Sequence, residues 1–128
     1  PWGRMSPDGT ENKVLDLLSE KELPGGFTYP DAFMRAAESG LISLEPWWLL
    51  EGDRLRVRIS GLRERFPERQ LVPFARREDN DDVACWDVGS GKVCIIHDFT
   101  TPGREQRAEY PHFYDWLRSA VEDFIQHD

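Results

Sequence analysis

The sequence predicts an α+β fold in which a small, mostly antiparallel sheet is covered by helices within a single domain. The first observation is a pair of apolar runs, residues 83–87 and 92–96, separated by a Gly-Ser-Gly turn at 89–91. Such runs indicate a β-hairpin, and apolar side chains on both of its faces require helices on at least one side. The second observation is a set of segments with helical spacing of apolar residues. A length of 128 residues fits one domain.

The composition is that of a folded and acidic protein. Aromatic residues make up 12% of the chain, which supplies large side chains for a core, and the formal net charge is −8. This charge argues against direct contact with nucleic acid or an anionic membrane, because both repel it. It favours a basic protein partner, although the same charge also serves solubility alone. No apolar run could cross a bilayer and no leader is visible, so we expect a cytoplasmic protein.

Four segments carry apolar residues at helical spacing. They are residues 10–22, residues 30–39, residues 53–66 and the segment from Pro111 onward. We expect Pro30 to begin the second helix and Gly40 to end it, because proline suits the first turn and glycine the exit. Residues 1–9 are polar, and we expect a flexible N-terminal segment there that is in part foreign to the native protein. The domain then spans residues 10–128.

The prediction of the third helix, over residues 53–66, depends on which of two apolar periods is followed. Leu55, Val57 and Ile59 alternate as in a strand. The same stretch also carries a helical stripe of about three turns, formed by Leu55, Ile59, Leu62 and Phe66. The longer pattern favours the helix. In the fourth helix we expect one apolar face, made of Phe113, Trp116, Leu117, Ala120, Val121 and Phe124.

The hairpin sets two cross-strand pairs. Any loop of even length centred on residues 89–91 places Cys85 opposite Cys94 and Trp86 opposite Val93. Opposed cysteines could form a disulfide, but in a reducing cytosol we expect two thiols that pack as small apolar groups. Two cysteines make neither a disulfide framework nor a zinc site.

Three shorter segments complete the prediction. Residues 71–75 form a strand, and Pro73 favours an edge or an end of the sheet, because it lacks a hydrogen-bond donor. Residues 41–50 form a connector that buries at least one of its two indoles. Residues 100–109 form a polar turn region.

Several blocks of the chain together resemble the SUKH superfamily. They are RFPER at residues 65–69, LVPFARREDNDDVACW at 71–86, IIHDFTTPG at 95–103 and the aromatic helical segment at 110–124. The most specific block is the apolar–Pro–Phe–Ala strand, together with the acidic loop and the strand ending in Trp-Asp that follow it. The resemblance covers about residues 23–126.

The resemblance implies a SUKH-like domain over residues 10–128, with a small antiparallel sheet and helices packed around it. It also implies protein binding without catalysis. Many bacterial members are immunity proteins that bind and neutralise a toxin, often a nuclease, and fungal relatives regulate cell-wall synthesis through protein contacts. The resemblance carries no catalytic motif onto this chain, and the residues that contact the toxin differ between members.

The sharpest local feature is an acidic run at residues 78–82. Three interpretations are open: a solvated turn whose Asp and Asn side chains bond their own backbone, a patch that meets a basic partner, or a site for a hard cation. The spacing departs from that of the EF-hand calcium loop. Carboxylates in a run are complementary to the basic groove of a nuclease. We therefore expect a partner-binding surface made of Glu78, Asp79, Asp81 and Asp82, with Trp48 as an interface anchor.

His97 and Asp98 follow the second hairpin strand and have the composition of a general base with its orienting carboxylate. Neighbours on a strand point to opposite faces, so we expect the two side chains to diverge and His97 to be structural. No Ser or Cys stands in an activating motif. We expect no catalytic residue, no cofactor and no metal ion.

Arginine is concentrated in one part of the chain. On the third predicted helix, Arg54, Arg58 and Arg65 lie away from the buried stripe. Two interpretations are open: a basic face for an acidic partner or RNA, or a solvated helix face. In the second case the balancing carboxylates are Glu51, Asp53, Glu64 and Glu68.

Three functions follow as hypotheses. The leading one is an immunity-type module that neutralises a cognate toxin by stoichiometric binding. The second is a regulatory adaptor that contacts an endogenous protein. The third, from another class, is a metal-dependent hydrolase that uses the acidic run and His97.

Overall fold

The computed structural model describes residues 15–127, which form one α+β domain. Its strands form a single antiparallel sheet in chain order: β1 (Trp47–Leu49), β2 (Leu71–Arg77), β3 (Asp82–Asp87), β4 (Lys92–His97) and β5 (Gln106–Tyr110). Its helices are α1 (Asp31–Glu38), α2 (Gly52–Arg65) and α3 (Phe113–Gln126). The predicted fold class, a small antiparallel sheet with helices around it, is confirmed.

The hairpin of β3 and β4 has the predicted register. Cys85 pairs with Cys94 and Trp86 with Val93. The loop between the strands spans residues 88–91, an even number, as this register requires. β3 is the third of the five strands, and all but its last residue are buried. The hairpin therefore forms the centre of the sheet, as its apolar faces predict.

One face of the sheet packs against α1 and α3 through aromatic side chains. The centroid of the Trp86 ring lies 4.4 Å from that of Phe74 and 4.9 Å from that of Phe33 in α1. Phe74 also contacts Phe113 and Trp116 of α3, at centroid distances of 5.7 and 4.9 Å. Edge-to-face aromatic pairs add to the gain from burying large apolar surfaces. This aromatic layer forms the core on that side of the sheet.

The opposite face of the sheet packs against α2. Leu55, Ile59 and Leu62 are buried there, so the helix predicted for residues 53–66 is confirmed. Val57, which the alternative strand pattern places on the same face as Leu55, is 72% exposed. Helices thus cover both faces of the sheet, which explains why its central strands are apolar throughout.

α1 confirms the second predicted helix, with its start shifted by one residue. Pro30 precedes the helix as its N-cap and is not its first residue. The helix ends in a Schellman motif, because the Gly40 N–H donates to the Ala37 carbonyl (3.1 Å) and the Leu41 N–H to the Ala36 carbonyl (2.9 Å). Gly40 has a φ of 78°, a conformation that glycine adopts without a side-chain clash.

The first predicted helix is wrong for the residues that the structure describes. Residues 15–19 have no regular secondary structure, and residues 20–23 form a turn. The rest of that prediction, residues 10–14, lies outside the described range, as does the flexible segment predicted at residues 1–9.

Contacts with distant elements explain why the first segment is not helical. The Leu18 N–H donates to the Tyr29 hydroxyl (3.2 Å), and the Leu17 carbonyl accepts from the Arg56 guanidinium (3.1 Å). These backbone groups therefore bond across the fold and not along a helix. Tertiary contacts here override the local apolar spacing.

The sequence pattern misses both edge strands of the sheet. β1 lies in the segment predicted as a connector, where Trp47 is buried and Trp48 is half-buried, so the expectation of one buried indole is confirmed. β5 begins within residues 100–109, predicted as a polar turn region, and ends at Tyr110; most of its side chains are exposed. An edge strand that buries so few side chains carries little apolar alternation for a pattern to detect.

The strand predicted at residues 71–75 extends to Arg77 and lies second in the sheet, so the predicted edge position is wrong. The register shifts between Pro73 and Ala75, and β1 pairs with β2 only from Ala75 onward. Pro73 therefore sits at a bulge and beyond the reach of β1, where a missing donor is tolerated.

α3 confirms the fourth predicted helix, but its predicted apolar face is only partly covered. Phe113, Trp116 and Ala120 are buried. Val121 and Phe124 are 38% and 49% exposed. The aromatic layer therefore ends before the last turns of the helix.

Cys85 and Cys94 are free cysteines, and both are buried. Burial raises the pKa of each thiol. They therefore pack as small neutral groups between the sheet and α2, as the sequence predicts.

The aromatic layer makes a testable prediction about stability. Phe74→Ala should lower the free energy of unfolding by about 3–5 kcal/mol, because it leaves a cavity between Trp86 and α3. Phe124→Ala, at a half-exposed ring on α3, should cost about 1 kcal/mol or less. Urea unfolding followed by tryptophan fluorescence measures both. Equal losses would contradict the assignment of Phe74 to the core.

Candidate functional site

The acidic turn, residues 78–82, joins β2 to β3. The Asn80 side-chain oxygen accepts a hydrogen bond from the Asp82 N–H (2.8 Å), and the Pro46 carbonyl accepts one from the Glu78 N–H (2.8 Å). The first contact is the local Asx bonding expected of a turn. The second contact ties Glu78, at the start of the acidic turn, to Pro46, the residue before β1. Hydrogen bonds therefore hold the acidic turn at both of its ends.

Three of the four carboxylates in the acidic turn bond to neighbouring side chains. Trp48 Nε1 donates to Glu78 (2.6 Å). Arg77 donates to Asp79 (2.7 Å) and so lowers the pKa of that carboxyl. Asp82 is buried and bonds to other side chains of the sheet. These contacts reduce the negative charge that the turn offers to a partner.

Asp82, the first residue of β3, is contacted by side chains from β4 and β5. Arg107 Nε lies 2.8 Å and His97 Nδ1 lies 3.2 Å from its Oδ1 atom. Asp81, by contrast, has an exposed side chain and makes no ion pair within residues 15–127. The structure thus gathers the predicted partner-binding residues at one corner of the sheet, and Asp81 is the carboxylate there that is most open to a partner.

His97 and Asp98 diverge, as their strand positions predict. His97 contacts Asp82, whereas the Asp98 carboxylate is fully buried and bonds to α2. Among residues 15–127, no group of three His, Cys, Asp or Glu side chains is arranged to hold a metal ion.

The Asp98 clamp, formed by Asp98 with Arg58 and Arg65, connects the end of β4 to α2. Arg65 donates two hydrogen bonds to the Asp98 carboxylate (2.6 Å each), and Arg58 donates one (2.9 Å). Burial alone raises the pKa of Asp98, but the bonds from Arg65 and Arg58 outweigh it, so the pKa lies below the usual carboxyl range. Asp98 is therefore a buried charge with a complete set of partners.

Gly61 leaves space for the clamp on α2. A Cβ atom added at Gly61 would lie 2.5 Å from the Arg65 guanidinium, which folds back over the helix towards Asp98. Glycine inside a helix is unfavourable by roughly 1 kcal/mol relative to alanine. Its presence here is explained by the path of the Arg65 side chain.

Phe99 follows the clamp directly and is held in an unusual conformation. Its φ is 63°, which is rare for a bulky residue, and its side chain is 62% exposed. Its N–H donates to Asp98 Oδ1 (2.9 Å), and the Arg65 guanidinium lies 4.1 Å from the centre of its ring. The Asp98 clamp therefore fixes both the backbone and one face of the Phe99 ring, while the rest of the ring faces solvent.

The outer face of α2 and Phe99 line an open groove of about 1210 Å³, which we call the arginine groove. Its basic residues are Arg54, Arg56, Arg58, Arg65 and Arg76. Val57 and Phe99 supply exposed apolar surface, and the lining carboxylates are Asp53 and Glu64. The acidic turn adjoins the groove, because the Asp81 carbonyl accepts a hydrogen bond from the Asp98 N–H (3.1 Å).

Sequence reasoning identifies the arginine-rich face of α2 but misses Phe99 and the Asp98 clamp. The pattern shows Asp98 only as the neighbour of His97, and it leaves Arg58 and Arg65 as solvated residues or as a basic face. One signal is present in the sequence: Arg58 and Arg65 are two helical turns apart on one face, with Gly61 between them.

Comparison with models of protein families, with curated proteins and with solved structures finds no match to this chain. None of the helices in the described part of the chain has the length and apolar composition that spanning a bilayer requires.

The Asp98 clamp predicts a specific dependence of stability on pH. Asp98→Asn should lower the free energy of unfolding by about 3–5 kcal/mol near neutral pH, because it leaves two arginines without their buried partner. The pKa of Asp98 is lowered on folding, so the wild-type advantage is complete above the ordinary carboxyl value of 3.8. The advantage should shrink as the pH falls through the lower, folded-state pKa. Urea unfolding at a series of pH values measures this difference.

Asp53→Asn is the matched control for that measurement, because Asp53 is an exposed carboxylate on the same helix. Its cost should stay below about 1 kcal/mol. The assignment of Asp98 as a buried charge fails if the two variants lose similar stability, or if the Asp98→Asn loss is independent of pH.

Proposed function

We propose that this chain is a protein-binding module, and specifically an immunity protein that neutralises a bacterial toxin by stoichiometric binding in the cytoplasm. The observation that carries protein binding is Phe99, a large aromatic side chain presented to solvent on a strained backbone whose N–H is held by Asp98. The immunity role rests on the resemblance to the SUKH superfamily.

The residue types around Phe99 are those of an interface centre. Protein interfaces are enriched in aromatic residues, including Phe, and in arginine, and their hot spots cluster near the centre of the interface. Phe99 packs against the Arg65 guanidinium and lines the same groove as the exposed Val57 of α2. A rigid anchor of this kind loses little conformational freedom on binding.

The strained backbone at Phe99 supports the same conclusion. A non-glycine residue in the left-handed region costs of order 1–3 kcal/mol and persists only where the surrounding structure enforces it. Here the Asp98 carboxylate enforces it through the Phe99 N–H. Backbone strain of this kind is common at ligand-binding positions. The strained conformation of Phe99 is therefore better explained by a binding role of its exposed ring than by a contribution to stability.

The acidic turn beside Phe99 supports a basic partner such as a nuclease toxin. Asp81 has an exposed carboxylate, and its backbone carbonyl accepts a hydrogen bond from Asp98, the residue before Phe99. The whole chain carries a net charge of −8. Charge complementarity of this kind mainly raises the association rate. The adaptor alternative shares this surface, and a toxin gene beside the gene for this chain is what separates the two.

The direct test is co-expression with the toxin that the neighbouring gene encodes. An immunity protein should restore growth of the host cell and co-purify with the toxin as a stoichiometric complex. Growth arrest at excess immunity protein, with no complex isolated, would overturn the proposed function.

Phe99→Gly separates binding from stability. Glycine accepts the left-handed backbone, so the free energy of unfolding should stay equal or rise by up to about 1 kcal/mol. Affinity for the toxin should fall by about 2 kcal/mol or more, as at an aromatic hot spot. Calorimetric titration with purified toxin measures the affinity. Phe124→Ala, which removes another half-exposed ring, is the control and should bind as the wild type does.

The acidic turn is tested by a single charge reversal. Asp81→Lys should slow association several-fold at low ionic strength, and the effect should disappear at high salt. Glu38→Lys makes the same change in charge on α1 and should leave the rate unchanged. Asp82 is unsuitable for such a test, because its buried carboxylate holds Arg107 and His97. Equal rates for the Asp81 and Glu38 variants would remove the acidic turn from the interface.

A further inference from the structure

We propose that the arginine groove receives an acidic segment of the partner polypeptide, whose carboxylates bind Arg54 and Arg76 and whose apolar side chains lie on Val57 and Phe99. This inference rests on the proposed function and gives the chemistry of the partner at that site. It assigns the partner two charged regions, a basic one that faces the acidic turn and an acidic one that enters the groove.

The groove gathers arginines although the chain as a whole has a net charge of −8. Its lining contains five arginines and two carboxylates, Asp53 and Glu64. Some of these arginines bond to carboxylates of the fold itself. Complementarity to a negatively charged ligand therefore depends on the individual guanidinium groups that make no such bond, and not on a net positive charge of the groove.

Internal contacts account for three of the groove arginines. Arg56 bonds to Asp16 (3.0 Å) and Glu22 (2.7 Å). Arg58 and Arg65 bond to Asp98, as described above. These side chains are therefore committed to holding α2 against the rest of the fold.

Arg54 and Arg76 are the two lining arginines that make no ion pair within residues 15–127. Arg54 is exposed near the start of α2, and Arg76 is half-buried on β2, where it pairs with Trp48 of β1. They therefore approach the groove from different elements of the fold. Each guanidinium presents a planar fork that matches a carboxylate.

The shape and apolar content of the groove favour a polypeptide over a small molecule or a nucleic acid. Its volume of about 1210 Å³ exceeds the range of roughly 300–1,000 Å³ common for small-ligand pockets, and it is open to solvent. Val57 and Phe99 add exposed apolar surface to the lining of the groove. Asp53 and Glu64 would repel a continuous run of phosphates, whereas separate carboxylates on a peptide can avoid them.

The test is fluorescence anisotropy with a fluorescein-labelled synthetic peptide of alternating glutamate and leucine. The wild-type chain should bind this peptide, and binding should weaken as salt is added. The double variant Arg54→Glu with Arg76→Glu should bind about tenfold or more weakly, because both guanidinium partners become repulsive. Its circular dichroism and thermal unfolding should match those of the wild type, since neither residue makes an ion pair in the described structure.

The matched control is the double variant Arg35→Glu with Arg118→Glu. It makes the same change in net charge at exposed positions on α1 and α3, on the other side of the sheet. It should bind the peptide within about twofold of the wild type, because rim charges far from a site contribute little beyond a Debye length. Equal losses of peptide affinity in both double variants would overturn the proposal, because the change in net charge alone would then explain the loss.

Two further probes test the competing occupants of the groove. Labelled oligouridylate of the same length should bind more weakly than the peptide, and tighter binding of the RNA would overturn the proposal. If the groove bound a second copy of this chain, sedimentation velocity would show a wild-type dimer that the Arg54→Glu, Arg76→Glu variant abolishes. We expect no such dimer. Such a dimer would assign the groove to a second copy of this chain and would also overturn the proposal.

The failure of this inference is distinct from failure of the proposed function. A chain that protects cells against the toxin but does not bind the acidic peptide retains the immunity role and loses the groove assignment. A chain that binds the peptide through Arg54 and Arg76 but gives no protection retains the groove chemistry and loses the immunity role.

Discussion

The carboxylate of Asp98 has no exposed surface, so the fold around it must neutralise a charge that water cannot reach. Arg58 and Arg65 do so from α2, and this contact ties the end of β4 to the outer helix of the domain. The same carboxylate accepts the Phe99 N–H and so holds that residue in the left-handed region. One buried charge thereby fixes the helix, the loop and the exposed aromatic ring together.

The charges at the surface follow from this constraint. Arg58 and Arg65 look like part of a basic face when the sequence alone is considered, but they bond inward to Asp98, and among the groove arginines Arg54 and Arg76 are the two without an ion pair within residues 15–127. The acidic turn behaves in the same way, because most of its carboxylates bond to the sheet that carries them. A binding surface built from few available charges and a fixed ring gains specificity from geometry more than from net charge.

Apolar patterning in the sequence predicts the parts of the fold that bury apolar residues. The helix over residues 53–66 is confirmed, because burial of one helix face imposes a period of 3.6. The hairpin with Cys85 opposite Cys94 is also confirmed, because two apolar runs joined by a loop of even length allow that register. The edge strand β5 is missed because most of its side chains are exposed and carry no apolar pattern. Residues 15–19 carry a helical spacing but are not helical, because their backbone bonds to Tyr29 and Arg56. In the Asp98 clamp, Arg58 lies 40 positions and Arg65 lies 33 positions before Asp98 in the chain. The local spacing of residues therefore does not predict these contacts.

A double-mutant cycle on affinity for the proposed toxin partner tests most directly whether Asp98 acts through Phe99. The variants are Asp98→Asn, Phe99→Gly and their combination, each verified as folded by circular dichroism at the temperature of the titration. If the clamp serves to position the ring, the double variant should bind as weakly as Phe99→Gly alone, because no ring is left to misplace. Losses that add in the double variant would show that Asp98 and Phe99 act independently and would contradict the central role of the clamp.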